Sequence, residues 1–313
     1  MIQAYVKAAR LRTLPLALAG IALGAGLSAF SAQAHNWTIT WLAILTATLL
    51  QILSNFANDY GDFKSGVDAD RSDRTLASGG LSQKSMRNAI LILSAATILV
   101  GLLLLYVSFG TLNWAFIVLF LVGLAAVYAA LKYTAGKNPY GYRALGDLAV
   151  FVFFGLVSVI GVYFLQLTNS ANQKTYEFAV SWLLKFTFQE TWMPATCFGL
   201  LSVGVLNINN IRDIEGDREN NKITLAVQLG RKKAEWYQLV LIAVAFGFLA
   251  LFLNKISGLK YWSCLLLFPV YLFNWLVLRN LDPTDRSGYN GQLKKMVMLN
   301  AFLVLILLLT LLV

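Results

Sequence analysis

The sequence predicts an all-α fold: a polytopic membrane protein built as a bundle of nine transmembrane helices. Of its 313 residues, 58% are hydrophobic and 13% are charged, and the mean hydropathy is +0.66. Apolar runs of about 17–25 residues, the length that a helix needs to cross a bilayer, recur along the chain. A closed barrel, the other fold that satisfies its backbone in lipid, would show short alternating segments instead. We therefore expect 1–313 to form a single transmembrane domain.

The first expected span, 14–31, follows three basic residues and ends just before Ala32-Gln33-Ala34, so a cleaved signal peptide is an alternative. Its length and its several glycines favour a retained helix. The remaining spans are expected at 38–57, 89–109, 113–131, 146–166, 193–211, 235–254, 261–279 and 296–313. The outer loop at about 167–192 is typical of either a short interfacial helix or an ordered loop. Cys197 and Cys264 fall in apolar runs and are expected to be buried and unpaired.

Basic residues predict the orientation of the chain. With these spans, 21 of the 25 Lys and Arg residues fall on the side of the N-terminus. Cations concentrate on the cytoplasmic side of membrane proteins. We therefore expect a multi-pass protein of the cytoplasmic (inner) membrane, with its N-terminus cytoplasmic and its C-terminus outside. The same asymmetry explains the net charge of +10, which requires no nucleic-acid partner.

Acidic residues are unexpectedly frequent on the same side, which holds 13 of the 15. They gather in two motifs, 55–74 and 207–225, each at the end of an even-numbered span. In the first, NFANDYGDFKSGVDADR, Asn58 and Asp62 share a helix face if the second span stays helical that far. Gly61 and Gly66 are then expected to let the chain turn, so that Asp68 returns over the helix end.

The second motif, NINNIRDIEGDRENNKITL, repeats the pattern. Asn209, Asp213 and Asp217 are four residues apart and are expected to form one stripe of a helix. Asp62 and Asp213 are 151 residues apart, close to half the chain. We interpret the two motifs as an internal pseudo-repeat that brings two acidic helix ends face to face.

Such an arrangement requires a cation. Stacked carboxylates at helix C-termini repel one another and oppose the helix dipole. Carboxylate and amide oxygens, without Cys or His, suit a hard ion such as Mg²⁺, and the single histidine, His35, falls on the opposite side. Mg²⁺ is usually held by one or two carboxylates together with substrate phosphates, so the motifs suggest metal ions that bridge to a diphosphate.

Basic residues lie close to both motifs. Their side chains can hold phosphate oxygens, arginine in a bidentate manner. Each could equally be an ordinary cytoplasmic cation of a membrane protein. The candidates for binding a diphosphate are Arg71, Arg74, Lys132, Arg143 and Lys222.

The motifs resemble those of a known family. NDYGDFKSGVD and NNIRDIEGDRENNKITLAVQLG are similar to the two aspartate-rich motifs of the UbiA-type intramembrane aromatic prenyltransferases. They are most similar to the branch that prenylates 1,4-dihydroxy-2-naphthoate in menaquinone synthesis, as are RLRTLPLALAG, SDRTLASGGLS and YRALGDLAVFVFFG. The resemblance covers about 8–230. Asp68 follows Asp62 by six residues rather than four, a spacing that this branch shares.

The resemblance implies a central cavity open sideways to lipid, two Mg²⁺ ions and a polyprenyl diphosphate donor. The implied metal ligands are Asn58, Asp62, Asp68, Asp213 and Asp217, and the four aspartates among them are the implied catalytic residues. Arg74 and Arg143 match basic positions near the diphosphate. Asn210 matches a motif position whose role is not assigned.

The implied reaction joins the prenyl group to 1,4-dihydroxy-2-naphthoate with loss of CO₂. Aromatic faces can stabilise the carbocation character of the donor. Tyr128, Tyr140 and Tyr142 are candidates by position, with plain interfacial tyrosines as the alternative. Gln51 and Asn55 lie inside a span, where amides are costly unless paired, so they either line the acceptor pocket or bond between helices.

Two other functions remain open from the sequence. A prenyltransferase of the same superfamily could use 4-hydroxybenzoate, homogentisate or haem, although the spacing to Asp68 and the SDRTL segment disfavour this. A membrane transporter could also combine acids in spans with internal repeats. In a transporter the acids would be expected near the midplane, whereas here they lie at helix ends on one side.

Overall fold

The computed structural model describes residues 2–66, 74–136, 138–169, 191–256 and 258–312. Asp68 and Arg71, and most of the 167–192 loop with its expected interfacial helix, lie outside these ranges. Within them, every element is helical apart from one isolated β-bridge between Arg143 and Ile223. The prediction of an all-α fold is therefore confirmed.

The helices follow the expected spans closely. The α-helices are α1 Ile2–Ala9, α2 Leu14–Ala32, α3 Trp37–Ser65, α4 Gln83–Phe109, α5 Trp114–Lys132, α6 Gly146–Val150, α7 Ser158–Asn169, α8 Trp192–Arg212, α9 Ile214–Glu219, α10 Leu225–Leu229, α11 Arg231–Ile256, α12 Phe268–Arg279 and α13 Arg286–Leu312. Short 3₁₀ turns occupy Leu11–Thr13 and Tyr140–Tyr142, and a nine-residue 3₁₀ helix, Leu259–Leu267, precedes α12. A π-helix, Phe151–Val157, joins α6 to α7 into one span.

Local signals explain where the long helices begin and end. The side chain of Asn36 accepts hydrogen bonds from the amides of Thr38 and Ile39 and so caps α3. Ser82 and Asn113 cap α4 and α5 in the same way. Gly66, at φ 82°, ends α3 as expected. The expectation that Gly61 helps the chain to turn is wrong, because Gly61 lies inside α3, where a Cβ would collide with Thr134.

Eight helical stretches among the described residues are long and apolar enough to span a membrane. The sixth expected span corresponds to α8, which has 21 residues but carries several asparagines toward its end. This helix packs against α11, α13 and the π-helix and is largely buried. Because α8 faces protein rather than lipid, it can carry amides. The count of nine spans is therefore approximate.

Three apolar clusters hold the described part of the bundle together. One joins α1, α3 and α4 through Ala8, Phe56 and Met86. The other two differ in size. The larger surrounds α8 and includes Phe198, Leu201 and Ile208. The smaller, here called the floor cluster, lies between α2, α3, α4, α5 and α7, toward the end of the bundle opposite the acidic motifs, here called the far end. Its buried members are Ile21, Ala25, Ile39, Ala43, Leu104, Leu105, Phe116, Val162 and Leu165. Cys197 and Cys264 are buried and not disulfide-bonded, as expected.

The π-helix and α8 approach each other through glycine. A Cβ at Gly155 would lie 2.7 Å from the Cα of Gly199 and 3.0 Å from the carbonyl oxygen of Ala195. Small residues let helix backbones come this close in membrane bundles. Since α8 ends in the second acidic motif, this contact helps to set where that motif lies.

Replacing Gly155 should therefore destabilise the bundle. We expect Gly155→Leu to lower the free energy of unfolding by about 1–3 kcal/mol or more, because the added side chain meets backbone. Gly247→Leu is the matched control, since a Cβ at Gly247 in α11 meets nothing within 4 Å. The measurement is unfolding in detergent, followed by circular dichroism. Equal losses in the two variants would contradict the packing argument.

Candidate active site

A cavity of about 440 Å³ lies between α2, α3, α4, α5 and the α6–α7 span. Charged and amide side chains line the end nearer the acidic motifs. Mostly apolar side chains, with a few hydroxyl groups such as those of Thr46 and Ser158, line the rest down to the floor cluster. The polar lining includes Arg10, Thr13, Gln51, Asn55, Asn58, Asp62, Arg74, Tyr133, Tyr140, Asn209, Asn210 and Lys222. Such a lining suits a ligand with a charged head and an apolar tail.

The first acidic motif lies on the wall of this cavity. Helix α3 continues through Asp62 to Ser65, so Asn58 and Asp62 share a face and both line the cavity. The carboxylate of Asp62 accepts a hydrogen bond of 2.8 Å from the Tyr142 hydroxyl. A guanidinium nitrogen of Arg74 lies 3.9 Å from its other oxygen. Asp62 is thus buried with a donor and a cation beside it.

The second motif differs from the expected continuous stripe. Helix α8 ends at Arg212 and α9 begins at Ile214, with Asp213 at the junction. The carboxylate of Asp213 pairs with Arg212 at 2.5 Å and with Arg286 at 2.8 Å. Asp213 is therefore held by two guanidinium groups and does not line the cavity, whereas Asn209 and Asn210 do.

Lys222 connects the two motifs. Its ammonium nitrogen lies 3.4 Å from Oδ1 of Asp217 and 5.5 Å from the centre of the Tyr142 ring. Burial disfavours the charged ammonium, yet the negative charges of Asp62 and Asp217 raise the pKa of Lys222 above its ordinary value. Lys222 is therefore a buried, protonated cation between carboxylates from the two halves of the chain.

A single backbone bridge sets the position of this cation. The amide of Ile223 donates to the carbonyl oxygen of Tyr142 at 3.1 Å, and the amide of Ala144 donates to that of Ile223 at 2.7 Å. These bonds join the loop after α5 to the loop after α9. Because Tyr142 and Lys222 flank the bridge, it holds the Tyr142 hydroxyl and the Lys222 ammonium near Asp62.

Asp217 retains an unused hydrogen-bond acceptor. Burial raises the pKa of this carboxyl group to about 6, and Lys222 offsets only part of that effect. Its Oδ2 atom is buried and has no hydrogen-bond partner. Among the residues that the structure describes, no three His, Cys, Asp or Glu side chains form a metal cluster. The carboxylate and amide oxygens of the site therefore fit a hard cation that binds to few protein oxygens and takes its other ligands from phosphate.

Hydrogen bonding accounts for the two amides inside α3. Gln51 donates to the Thr13 hydroxyl at 3.1 Å, and Asn55 donates to the carbonyl oxygen of Ala9 at 2.8 Å. Both also line the cavity. The two interpretations of these residues, cavity lining and bonding between helices, are therefore compatible.

The other predicted residues divide into three groups. Tyr140 lines the cavity and donates to the carbonyl oxygen of Ala129, and burial raises the pKa of its phenol to about 12. Tyr142 and Asp217 do not line the cavity but contact Asp62 and Lys222, which do. Tyr128, 63% exposed, Lys132 and Arg143 lie at the surface and not on the cavity wall.

Three residues near the motifs were not predicted as site residues. Arg10 adopts a left-handed backbone conformation at φ 48° and lines the cavity. Its positive charge acts electrostatically on the carboxyl group of Asp59. Asp59 is 1% exposed and accepts a hydrogen bond from the amide of Thr75. The Thr134 hydroxyl donates to the carbonyl oxygen of Ala57. One signal was available: Pro15 marks the start of α2, which places Arg10 just before the first span, on the side of the membrane expected to hold the motifs.

Comparison with known proteins identifies relatives over nearly the whole chain. The family model described as "UbiA prenyltransferase family" matches residues 13–311. A protein of Escherichia coli named 1,4-dihydroxy-2-naphthoate octaprenyltransferase is 39% identical over 289 residues, which cover 90% of this chain and 87% of the relative. A protein of the same name from Haemophilus influenzae is 40% identical, over 78% of this chain and 75% of the relative.

Solved structures share the fold at low sequence identity. The apo structure of a UbiA homolog from Aeropyrum pernix K1 has a TM-score of 0.65 and 19% identity, with 95% of this chain and 96% of that chain covered. A UbiA homolog from Archaeoglobus fulgidus, bound to GPP and Mg²⁺, has a TM-score of 0.64 and 15% identity, with 99% and 100% covered. These similarities support the fold.

Arg212 is expected to stabilise the second motif. Its buried guanidinium donates to Asp213, to Asn209 at 2.8 Å and to Asn290 at 2.5 Å. Arg212→Met should lower the free energy of unfolding by about 1–3 kcal/mol, because these buried acceptors lose their donor. Arg218→Met, at an exposed position in α9, should change it by about 0.5 kcal/mol or less. If both variants unfold alike in detergent, Arg212 does not have this role.

The buried carboxyl group of Asp217 predicts a pH dependence of stability. Its pKa of about 6 in the folded protein exceeds the ordinary 3.8, so the folded state holds this proton more tightly than the unfolded chain does. Without divalent cations, this group's contribution is full below pH 4 and is lost as pH rises through 6. Asp217→Asn should therefore gain up to roughly 3 kcal/mol relative to wild type between pH 4 and 7.

Unfolding in detergent at a series of pH values tests this expectation. Glu219→Gln, at an exposed position two residues away, is the control and should follow the wild type. A difference between Asp217→Asn and wild type that stays constant with pH would contradict it.

Proposed function

The chain belongs to the UbiA prenyltransferase family, and on that premise we propose that it transfers a polyprenyl group from polyprenyl diphosphate to 1,4-dihydroxy-2-naphthoate. The product would be demethylmenaquinol, an intermediate in menaquinone biosynthesis, formed with loss of CO₂. Relatives that are 39–40% identical and carry the naphthoate prenyltransferase name support the acceptor. Fold similarity alone would not, because a fold does not specify a substrate.

The observation that carries the proposal is the junction of Asp62, Lys222 and Asp217 at the polar end of an apolar cavity. A prenyl diphosphate has the matching polarity, with a highly charged head on a hydrocarbon tail. Few other membrane substrates need carboxylates, cations and an apolar cavity within one site. The alternative that the protein is a membrane transporter is less favoured, since these acidic residues lie at helix ends rather than at the midplane of the membrane.

In this proposal, cations at the polar end bind the diphosphate. Lys222 and Arg74 lie on the cavity wall beside Asp62, and Arg10 lines the same end. Ammonium and guanidinium groups form strong charge-assisted bonds to phosphate oxygens. When substrate arrives, its oxygens can replace carboxylate oxygens as partners of Lys222 and Arg74. Arg71 and Arg143 remain predicted contributors, and Arg71 lies outside the described residues.

Asn58, Asp62 and Asp217 are the described residues best placed to hold Mg²⁺, with Asp68 and Asp213 as further predicted ligands. When bound, Mg²⁺ would act as a Lewis acid that neutralises charge on the departing diphosphate. Two ions are proposed, one for each motif. The buried, unpartnered Oδ2 of Asp217 supports cation binding there.

The chain's own groups then favour breaking of the bond between the allylic carbon and the diphosphate oxygen. Lys222 and Arg74 stabilise the negative charge that grows on the leaving group. The apolar wall keeps water away from the allylic carbon, which gains carbocation character. Tyr140 and the phenylalanines of the π-helix that line the cavity, Phe153 and Phe154, offer aromatic faces.

The acceptor ring supplies the electron pair for the new carbon–carbon bond. Its ionised carboxylate leaves as CO₂, and the electrons of that broken bond return to the ring, so that diphosphate, CO₂ and the prenylated quinol are the products. The amides of Gln51, Asn55 and Asn210 lie on the cavity wall, where they can bond to the hydroxyl groups of the acceptor. These three residues are the proposed acceptor contacts.

The distribution of charge supports an orientation in a bacterial cytoplasmic membrane. Most Lys and Arg residues fall at the end of the bundle that carries the motifs. We infer that the N-terminus and the active site face the cytoplasm and that the C-terminus lies outside. The diphosphate end of the cavity then opens toward the compartment that holds soluble diphosphates and Mg²⁺.

Turnover with defined substrates tests the proposal. Purified protein in detergent would receive octaprenyl diphosphate and either 1,4-dihydroxy-2-naphthoate or 4-hydroxybenzoate, with and without Mg²⁺. We expect a decarboxylated prenyl-naphthoquinol that requires Mg²⁺ and forms only from the naphthoate. Product formed only from 4-hydroxybenzoate would assign the protein to another branch of the family. Absence of product from folded protein with either acceptor would overturn the proposal of prenyl transfer.

Neutral variants of the motif acids test the site itself. Asp62→Asn and Asp217→Asn should each lower kcat by about 100-fold or more, because each removes a charge that the transition state needs. Glu219→Gln, at an exposed acid beside Asp217, should keep wild-type turnover. A wild-type rate in either aspartate variant would remove that residue from the proposed metal site.

A further inference from the structure

Three glycines line the cavity without any packing reason. They are Gly101 in α4, Gly123 in α5 and Gly161 in α7. A Cβ at Gly123 or Gly161 would meet nothing within 4 Å, and one at Gly101 would meet only Thr46, at 3.9 Å. By contrast, a Cβ at Gly155 would meet backbone at 2.7 Å. Since glycine costs a helix about 1 kcal/mol relative to alanine, these three residues are not explained by helix formation.

The three glycines lie at one depth, close to the far end. Gly101 precedes Leu104 and Leu105 by one helical turn, and Gly161 precedes Leu165 by one turn. These leucines belong to the floor cluster and line the cavity. In α5, which runs in the opposite direction, Gly123 follows Phe120, which packs against the same cluster. Three helices thus contribute one glycine each to a ring just above the floor.

This ring is far from the diphosphate site. Gly101 faces Thr46, which is sixteen residues from Asp62 along α3. At 1.5 Å per residue, the ring lies about 24 Å from Asp62. The eight-carbon main chain of a geranyl group, with bonds of about 1.5 Å, spans at most about 12 Å. A geranyl tail therefore ends short of the ring, whereas an octaprenyl tail, four times as long, can reach it.

We propose that Gly101, Gly123 and Gly161 make room for the distal part of a long polyprenyl tail and so determine, with the floor cluster, which tail lengths the protein accepts. The inference rests on the proposed function, because it assumes that the cavity holds a prenyl diphosphate. Hydrogen atoms in place of side chains at this depth widen the cavity where a short tail has no contact. The ring thus acts on substrate choice and not on the chemical step.

Leucine at these positions would fill the space without changing its polarity. The variants Gly123→Leu and Gly161→Leu should lower kcat/KM for octaprenyl diphosphate by about 10- to 100-fold, because the tail and the new side chain compete for the same volume. Turnover of geranyl diphosphate should stay within about twofold, because its tail does not reach the ring. Retained geranyl turnover also shows that the variant is folded.

Gly247→Leu is the matched control. Gly247 lies in α11, does not line the cavity and has open space around its Cβ position. This variant gains as much helix propensity as the ring variants do, and it should leave the turnover of both diphosphates unchanged. Gly123→Ala and Gly161→Ala should shift the ratio of octaprenyl to geranyl turnover in the same direction by a smaller factor, and they keep the test decisive if a leucine variant does not fold.

The experiment compares kcat/KM for geranyl and octaprenyl diphosphate, with 1,4-dihydroxy-2-naphthoate as acceptor, in wild type and in each variant. A selective loss of octaprenyl turnover in the ring variants supports the inference. Equal loss with both tails, or no loss, overturns it and leaves the proposed function standing. A wild-type protein that turns over neither diphosphate overturns the proposed function, and the inference with it.

Discussion

The pairing of Lys222 with Asp217, within the electrostatic influence of Asp62, is the interaction on which the rest of the site depends. Acidic groups from the two halves of the chain cannot meet at the edge of an apolar bundle without a cation, because unpaired buried charges are strongly destabilising. Lys222 supplies that charge, and Arg74 adds to it beside Asp62. In the proposed function the same cations then bind the diphosphate, so one set of charges both stabilises the free site and recognises the substrate.

Helix α8 provides the rigid support for the second motif. Asn207 donates to the carbonyl oxygen of Ala234 and to Gln238 in α11, and Asn300 in α13 donates to the carbonyl oxygen of Leu201. These buried bonds tie α8 to its neighbours on the side away from the cavity. Asn207, one of the amides that make α8 less apolar than the other spans, thus helps to hold this helix in place. A functional site needs such rigid supporting elements.

Glycine serves two opposite purposes in this bundle. At Gly155 and Gly61 the missing side chain lets a neighbouring segment approach, and any Cβ would collide with it. At Gly123 and Gly161 the missing side chain leaves open space in the cavity. The first kind shapes the helix packing, and the second kind shapes the volume that packing encloses. Both arise from the same property, the absence of a Cβ, and only the neighbours distinguish them.

The sequence by itself determined the helices, because apolar runs of membrane length and capping residues such as Asn36 and Gly66 act locally. It also determined that Asn58 and Asp62 share a face, which follows from helical spacing. Only the tertiary structure decided that Asp213 pairs with Arg286, that Lys222 pairs with Asp217 close enough to Asp62 to feel its charge, and that Tyr142 rather than Tyr128 bonds to Asp62. Those contacts join residues far apart in the chain, so they depend on which helices and loops pack together, and no local pattern encodes that choice.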